Sequence, residues 1–438
     1  MMTKLLIRGG RVIDPANRLE ETADLLIEEG RIAKVGQKLS AAGAEILEAD
    51  GTLVFPGFVD LHVHLRSPGR EEKETVASGT RAAAKGGFTT ICAMANTDPP
   101  ADSRPVIDYL LAEAQRSAVV HVLPIGAVTK GLAGESLAEI GELKAAGVVA
   151  LSDDGHSIMN ARLMRYALEY ATMFGLPIIG HEEDTTLSAG GVMHEGRISV
   201  KQGVQGIPST AETVMVARDI LLAEATHSRL HIAHVSARET VELVRAAKRR
   251  GVAVTAEVTP HHLALTDEAL QGYEPNFKMS PPLRSAEDQA ALREGLRDGT
   301  LDCVATDHAP HTQAEKEVEL ETAPFGVIGL ETALAVLLKT LVEPGLLTLT
   351  QLATALSWRP AQILGLPCGT LRPGAVADVT IVDPARAWTV APGAFASKSS
   401  NSPFLGWSLR GQAMEALVAG RRVVQGGRVI GTNGKGDA

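Results

Sequence analysis

Eight short apolar runs alternate with stretches of helical periodicity through the middle of this 438-residue chain, and that alternation restricts the fold more than any other feature. The runs cover 53–60, 88–94, 119–127, 148–152, 177–180, 230–233, 252–258 and 302–306. Helical patterns fall at 74–85, 103–116, 161–174, 211–226, 237–250 and 285–298. Strands that alternate with helices read as βαβ units around a parallel sheet. Eight of them predict an α/β fold of the (β/α)8 TIM-like barrel type rather than a doubly wound sheet. No dinucleotide or P-loop glycine pattern opens a helix after any of these strands. The ends have a different texture. Short strands at 4–10, 23–27 and 31–35, with turns at Gly9-Gly10 and Gly30, are matched by runs at 374–382, 416–421 and 427–430. We therefore expect one small β domain built jointly from 1–52 and 370–438, and a barrel domain over 53–369.

Composition narrows the partners. A net charge of −10 gives no reason to expect nucleic acid or an anionic membrane. No run of 18 apolar residues and no charged-then-apolar leader is present, so neither a membrane span nor a signal peptide is expected. Cys92, Cys303 and Cys368 are odd in number and scattered, which argues against a disulfide framework or a cysteine zinc site. A cytoplasmic protein acting on a small molecule is the expectation.

A barrel of this kind carries its chemistry at the C-terminal ends of its strands. Strand one runs into His62, His64 and Arg66, and residues two apart on a strand share a face, so both imidazoles can grip one ion. Strand two is followed by Asn96, strand four by Asp153-Asp154, and strand five by His181. Strand six ends at His234, strand seven at His261-His262, and strand eight at Asp307 and His311. Singly, such a His is most often structural, and an Asp such as Asp153 or Asp307 caps a helix. Together, four or more imidazoles and two carboxylates at equivalent positions converge on one mouth. Nitrogen and oxygen donors without cysteine describe a catalytic metal site with open positions, zinc being the commonest ion. His121, His156, His194, His227 and His231 fit less well and are expected to be structural or at the surface. Lys73 and Lys85 are expected on a solvated helix face.

The residues resemble the amidohydrolase superfamily and, more narrowly, the bacterial-type (class I) dihydroorotases. The likeness spans nearly the whole chain. It is carried by Asp60-Leu61-His62-Val63-His64-Leu65-Arg66, Asn96-Thr97, Ser152-Asp153-Asp154-Gly155, Gly180-His181 with Glu183, and Ala233-His234-Val235-Ser236. Thr259-Pro260-His261-His262, Thr306-Asp307-His308-Ala309-Pro310-His311 and Ala323-Pro324-Phe325-Gly326 complete it. The resemblance implies a barrel with a composite β-sandwich from both termini. It also implies reversible exchange of (S)-dihydroorotate and N-carbamoyl-L-aspartate in pyrimidine synthesis, through a metal-bridged hydroxide with Asp307 as general acid and base.

By matching position, His62, His64 and Asp307 would hold one Zn2+ and His181 and His234 a second. Asp154 would bridge them, where hydantoinases use a carbamylated lysine. Arg66, Asn96 and His311 would grip the substrate's carboxylate and amide, with His64, Ser280 and the backbone at Phe325 and Gly326 beside them. One or two zinc ions per subunit, with two favoured, a homodimer, and a complex with aspartate transcarbamoylase are further implications. The competing readings are allantoinase, dihydropyrimidinase, and a scaffold subunit of aspartate transcarbamoylase. Ser67, Ala95 and Ser280 depart from the family pattern, and the Ser280 hydroxyl is shorter than the amide usual there. The charged segment 311–321 is expected to be a solvated loop, with a lid as the alternative.

Overall fold

The computed structural model describes residues 4–430. Its central sheet has eight parallel strands in sequential order. They are β1 (Phe58–Val63), β2 (Phe88–Ala93), β3 (His121–Gly126), β4 (Ala150–Leu151), β5 (Ile178–Gly180), β6 (Leu230–Ile232), β7 (Val254–Val258) and β8 (Cys303–Val304). The edge between β8 and β1 is closed by the His64 amide, which donates to the His308 carbonyl at 2.9 Å. The expected barrel is thus the observed one. The helices follow the periodicity closely, as in Val76–Gly86, Arg104–Ser117, Ala161–Thr172, Thr210–Thr226, Arg238–Arg249 and Ala286–Asp298. Local signals stop and start them: Thr75 and Ser285 form capping boxes, and Gly87 and Gly299 end helices in the left-handed region.

One large apolar cluster joins strand and helix residues, among them Phe58, Phe88, Ile91, Leu110, Leu168, Ile220, Val244 and Leu292. A second cluster contains Cys92, Ile125, Ile179 and Cys303 and meets Ala361 and Ile363 of helix Arg359–Leu364. The cysteines are all free. Among the described residues no helix is long and apolar enough to cross a membrane.

Both ends of the chain enter one nine-stranded, mostly antiparallel sheet. Strands Lys4–Asp14, Leu19–Glu28 and Arg31–Gly36 join Val379–Thr389, Ser408–Val418 and Arg421–Gln425 over a core that includes Ile7, Leu25, Ile27, Val379 and Leu417. Residues 1–3 and 431–438 of the expected terminal unit lie outside the described residues. Two strand expectations are corrected. The run 416–421 is interrupted at the Ala419-Gly420 turn, with strands on either side. The run 53–60 divides at Gly57: Leu53–Pro56 pairs with both halves of the terminal sheet, and only Phe58–Val63 enters the barrel. A Cβ at Gly57 would sit 2.1 Å from Thr89 Oγ1, so the crossing from sheet to barrel needs a residue without one.

Candidate metal centre and cavity

The strand ends bring His62, His64, Asp154, His181, His234 and Asp307 into one buried cluster. Asp154 is its centre. Its Oδ1 lies 3.3 Å from His62 Nε2, 3.4 Å from His181 Nδ1 and 3.5 Å from His234 Nε2, while Oδ2 is 3.5 Å from His64 Nε2. Asp307 Oδ1 sits 3.2 Å from His64 Nε2 and 3.5 Å from His62 Nε2. Two overlapping groups, His62 with His64 and Asp307, and His62 with Asp154 and His234, are compact enough to hold an ion.

Burial alone would raise the Asp154 carboxyl, but the surrounding imidazoles of His62, His181 and His234 hold it well below the ordinary carboxylate range. Asp307 is lowered in the same way by His62 and His64. His62 Nε2 and Asp154 Oδ1 are buried without a hydrogen-bond partner. Unsatisfied buried donors and acceptors are rare, and these two face each other across a site lined by hard and borderline ligands. The residues therefore fit a divalent ion such as zinc.

The imidazoles are aimed from behind. His62 Nδ1 is 2.9 Å from Glu257 Oε1, His64 Nδ1 is 2.8 Å from Asn96 Oδ1, and His181 Nε2 is 3.1 Å from Glu183 Oε2. Asn96 also donates through Nδ2 to the Asp154 carbonyl and to its Oδ2, at 3.3 and 3.2 Å. Asn96 therefore ties one imidazole to the central carboxylate. Asp153, the neighbour of Asp154, accepts from the amides of Val128 and Thr129 and from the Thr129 hydroxyl, which fixes the end of β4 against that of β3. Arg66, His234 and Asp307 all have positive φ, at 57°, 32° and 47°. Each such residue costs about 1–3 kcal/mol, and strain of this kind gathers at functional sites.

A cavity of about 200 Å³ opens above the cluster. Its lining contains every ligand and substrate-binding residue that the resemblance implies except His62, which is wholly buried below it, and adds Gly155 and Ala309; Asp153, His261 and His262, also at strand ends, are buried outside it. Arg66 Nε donates to the Pro310 carbonyl at 3.2 Å, and its terminal nitrogens have no hydrogen-bond partner among the described residues. His311 Nε2 donates to the Phe325 carbonyl at 2.9 Å. Burial, followed by the charge of Arg66, pushes His311 down to about 3, so the ring is neutral and its Nδ1, which makes no hydrogen bond and lies 3.6 Å from Glu315 Oε2, is an acceptor. Ser280 donates to Glu183 Oε2 at 3.2 Å. At Gly326, with φ of 130°, a Cβ would come within 3.0 Å of His311 Nε2, so only glycine permits this approach.

Several site neighbours were not anticipated. Lys73 is 6% exposed and pairs with Glu315 at 2.6 Å, rather than lying on a solvated face; Lys85 pairs with Glu331 at 2.9 Å. The segment after His311 is pinned. Buried Lys316 donates to the carbonyls of Pro275, Lys278 and Pro324, and Lys278 donates to those of Leu320 and Glu321. Asn401, from the stretch preceding strand Ser408–Val418, reaches the loops of the cavity from the opposite end of the sequence. Glu183 had a signal, its two-residue spacing from His181, and Glu257 is the lone charge in an apolar run. Asn401 had none.

A family model described as dihydro-orotase-like matches residues 51–240. A dihydroorotase from Pelotomaculum thermopropionicum is 56% identical over 422 residues, covering 96% of this chain and 99% of that protein. The chain belongs to the dihydroorotase family. A second dihydroorotase, from Syntrophus aciditrophicus, is 53% identical with the same coverage. Among solved structures, L-hydantoinase (dihydropyrimidinase) from Arthrobacter aurescens has a TM-score of 0.89 at 28% identity and covers 98% of both chains. A dihydropyrimidinase from Brevibacillus agri has a TM-score of 0.86 at 25% identity, over 99% of this chain and 97% of that one. The chain thus shares its fold with a hydantoinase and a dihydropyrimidinase, while the two dihydroorotases resemble it about twice as strongly in sequence.

Proposed function

We propose that the chain is a zinc-dependent dihydroorotase of the bacterial (class I) type, which interconverts (S)-dihydroorotate and N-carbamoyl-L-aspartate in pyrimidine synthesis. The observation that carries this reading is the Asp154 carboxylate within 3.5 Å of four imidazole nitrogens, beside a cavity lined by Arg66. A carboxylate at that place supplies two oxygens without any modification.

His62, His64 and Asp307 would hold one ion and His181 and His234 the other, with Asp154 facing both. When bound, the ions would bring a water's pKa down to about 7 and polarise the ring carbonyl. Arg66 receives the substrate carboxylate on its terminal nitrogens, because a guanidinium fork matches both oxygens of a planar carboxylate. His311 Nδ1 accepts a ring N–H, and the backbone at Phe325 and Gly326 bounds the ring. Asp307 takes the proton of the attacking water. It then delivers that proton to the ring amide nitrogen as the bond to the carbonyl carbon breaks, and the water's second proton passes to solvent, leaving a carboxylate and a ureido group. In the biosynthetic direction Asp307 takes a proton from the ureido nitrogen and gives it to the departing oxygen, which leaves as water with a second proton taken from solvent.

The test is elemental analysis of the purified protein, followed by parallel assays of dihydroorotate, carbamoyl-aspartate, hydantoin and allantoin. Zinc with turnover of the first pair is expected. Turnover of only the last two would overturn the assignment.

A further inference from the structure

Beneath the ligand cluster, the barrel interior holds a run of polar side chains that the proposed reaction does not use. Glu257, on β7, is wholly buried, and both of its oxygens are engaged. Oε1 lies 2.9 Å from His62 Nδ1 and Oε2 3.1 Å from His231 Nε2. His231, on β6, is equally buried, and its Nδ1 is 2.8 Å from Thr255 Oγ1. None of the three lines the cavity. Taking a carboxylate out of water costs several kcal/mol unless partners compensate, and an apolar side chain would fill this position without that cost. A carboxylate here, away from solvent and substrate, acts through what it holds: His62 at 2.9 Å and, more weakly, the His234 amide, which donates to the same Oε1 at 3.4 Å.

We propose that Glu257 is a positioning residue for the metal centre: by accepting the proton of His62 Nδ1 it fixes that ring's tautomer and rotation and presents the Nε2 lone pair to the ion. Thr255 and His231 hold the carboxylate in place. The inference rests on the metal-centre reading above. A neutral imidazole carries one N–H, and the hydrogen bond at one nitrogen decides which nitrogen is free. Without an acceptor at Nδ1, the proton of His62 has two rivals within reach of Nε2, Asp154 Oδ1 at 3.3 Å and Asp307 Oδ1 at 3.5 Å. A ring protonated there cannot ligate. Glu257 removes that alternative, which accounts for the partnerless state of His62 Nε2. His231, Glu257 and Cys303 also lie close enough to hold an ion of their own. Both oxygens of Glu257 are already taken by imidazole nitrogens, so an ion there would have to break the contact to His62.

Two substitutions separate orientation from charge. Glu257→Gln keeps the reach and loses the charge: its Oε1 can accept from His62 Nδ1, while its Nε2 donates to His231 Nε2 once that ring carries its proton on Nδ1, toward Thr255 Oγ1. Glu257→Asp keeps the charge but withdraws it by one methylene. Zinc affinity of each folded protein is read by competition with a chromogenic chelator, and ligand geometry by the visible absorption of the cobalt(II)-loaded form. The Asp variant is expected to bind zinc about 10–100-fold more weakly, the range for lost outer partners of metal-bound histidines, with an altered cobalt spectrum. The Gln variant is expected to lose less and to keep the spectrum. Unchanged affinity and spectrum in the Asp variant, whatever its thermal midpoint, would reduce Glu257 to a structural role and overturn the proposal. So would a Gln variant that loses as much as the Asp variant, or a third zinc in the wild type that disappears on substitution. A wild type whose zinc uptake is nil, or is unaffected by His62→Ala, would instead sink the metal-centre reading itself.

Discussion

Asn401→Ala tests whether the cavity is assembled from both ends of the chain. Asn401 Oδ1 accepts from the His311 amide, and Nδ2 donates to the carbonyls of Ala309 and Gly326, all at 3.1 Å. The residue is 4% exposed, so truncation deletes three buried hydrogen bonds. At about 1 kcal/mol net for each, the loss is about 3 kcal/mol. It falls on the two segments that carry His311 and Gly326, and on no metal ligand. If most of it is spent in releasing those segments, the binding-competent fraction falls, and the apparent affinity falls with it. Since about 1.4 kcal/mol is a factor of ten, KM for carbamoyl-aspartate should rise by roughly 10- to 100-fold, at unchanged zinc content and with kcat changing less. Asn401→Asp keeps the acceptor but turns anionic oxygen toward two carbonyls, and should be at least as harmful. Steady-state kinetics with elemental analysis of the same samples decides it. A KM within twofold of wild type, together with a lowered thermal midpoint, would refute the reasoning and leave Asn401 as a packing residue.

Arg66→Lys keeps a charge but loses the fork; KM for dihydroorotate should rise about 10- to 100-fold with zinc retained, and an unchanged KM would remove Arg66 from the carboxylate's binding. Asp307→Asn should lower kcat by about 10²–10⁴ at unchanged zinc content, the range for a lost general acid and base. Loss of zinc in parallel with turnover would leave Asp307 a ligand only. Lys316 offers a pH test, because burial, with Lys278 nearby, lowers it from 10.5 to about 7. Between those values the unfolded chain binds the proton that the folded chain has released, so its contribution to stability rises with pH across that window. Wild type relative to Lys316→Met should therefore gain stability from pH 7 to 10 in urea unfolding, and a difference independent of pH would show that Lys316 stays charged in the fold.

The barrel was legible because its signal is local and repeated. Each apolar run reports burial on its own, and six helices start and stop within two residues of the periodicity that announced them. The failures were local as well. The run 53–60 looks continuous, and only the approach of Gly57 to Thr89 shows that the chain changes sheets there. Lys73 carries nothing in its neighbourhood to mark it as buried, since its partner Glu315 lies at the far end of the barrel sequence.

By itself the sequence determined the eightfold alternation, the donor types at the strand ends and, through resemblance, the family to which they belong. His62 and His64 announce a shared face by spacing alone. Only the tertiary structure decided what surrounds them. It set Asp154 among four imidazoles, Glu257 and Asn96 behind two of them, and Asn401 across the cavity loops. The reason is physical. Strand and helix periodicity is carried by neighbours a few residues apart, whereas a hydrogen bond between a β7 carboxylate and a β1 imidazole depends on barrel closure. Closure brings together side chains that no sequence interval relates.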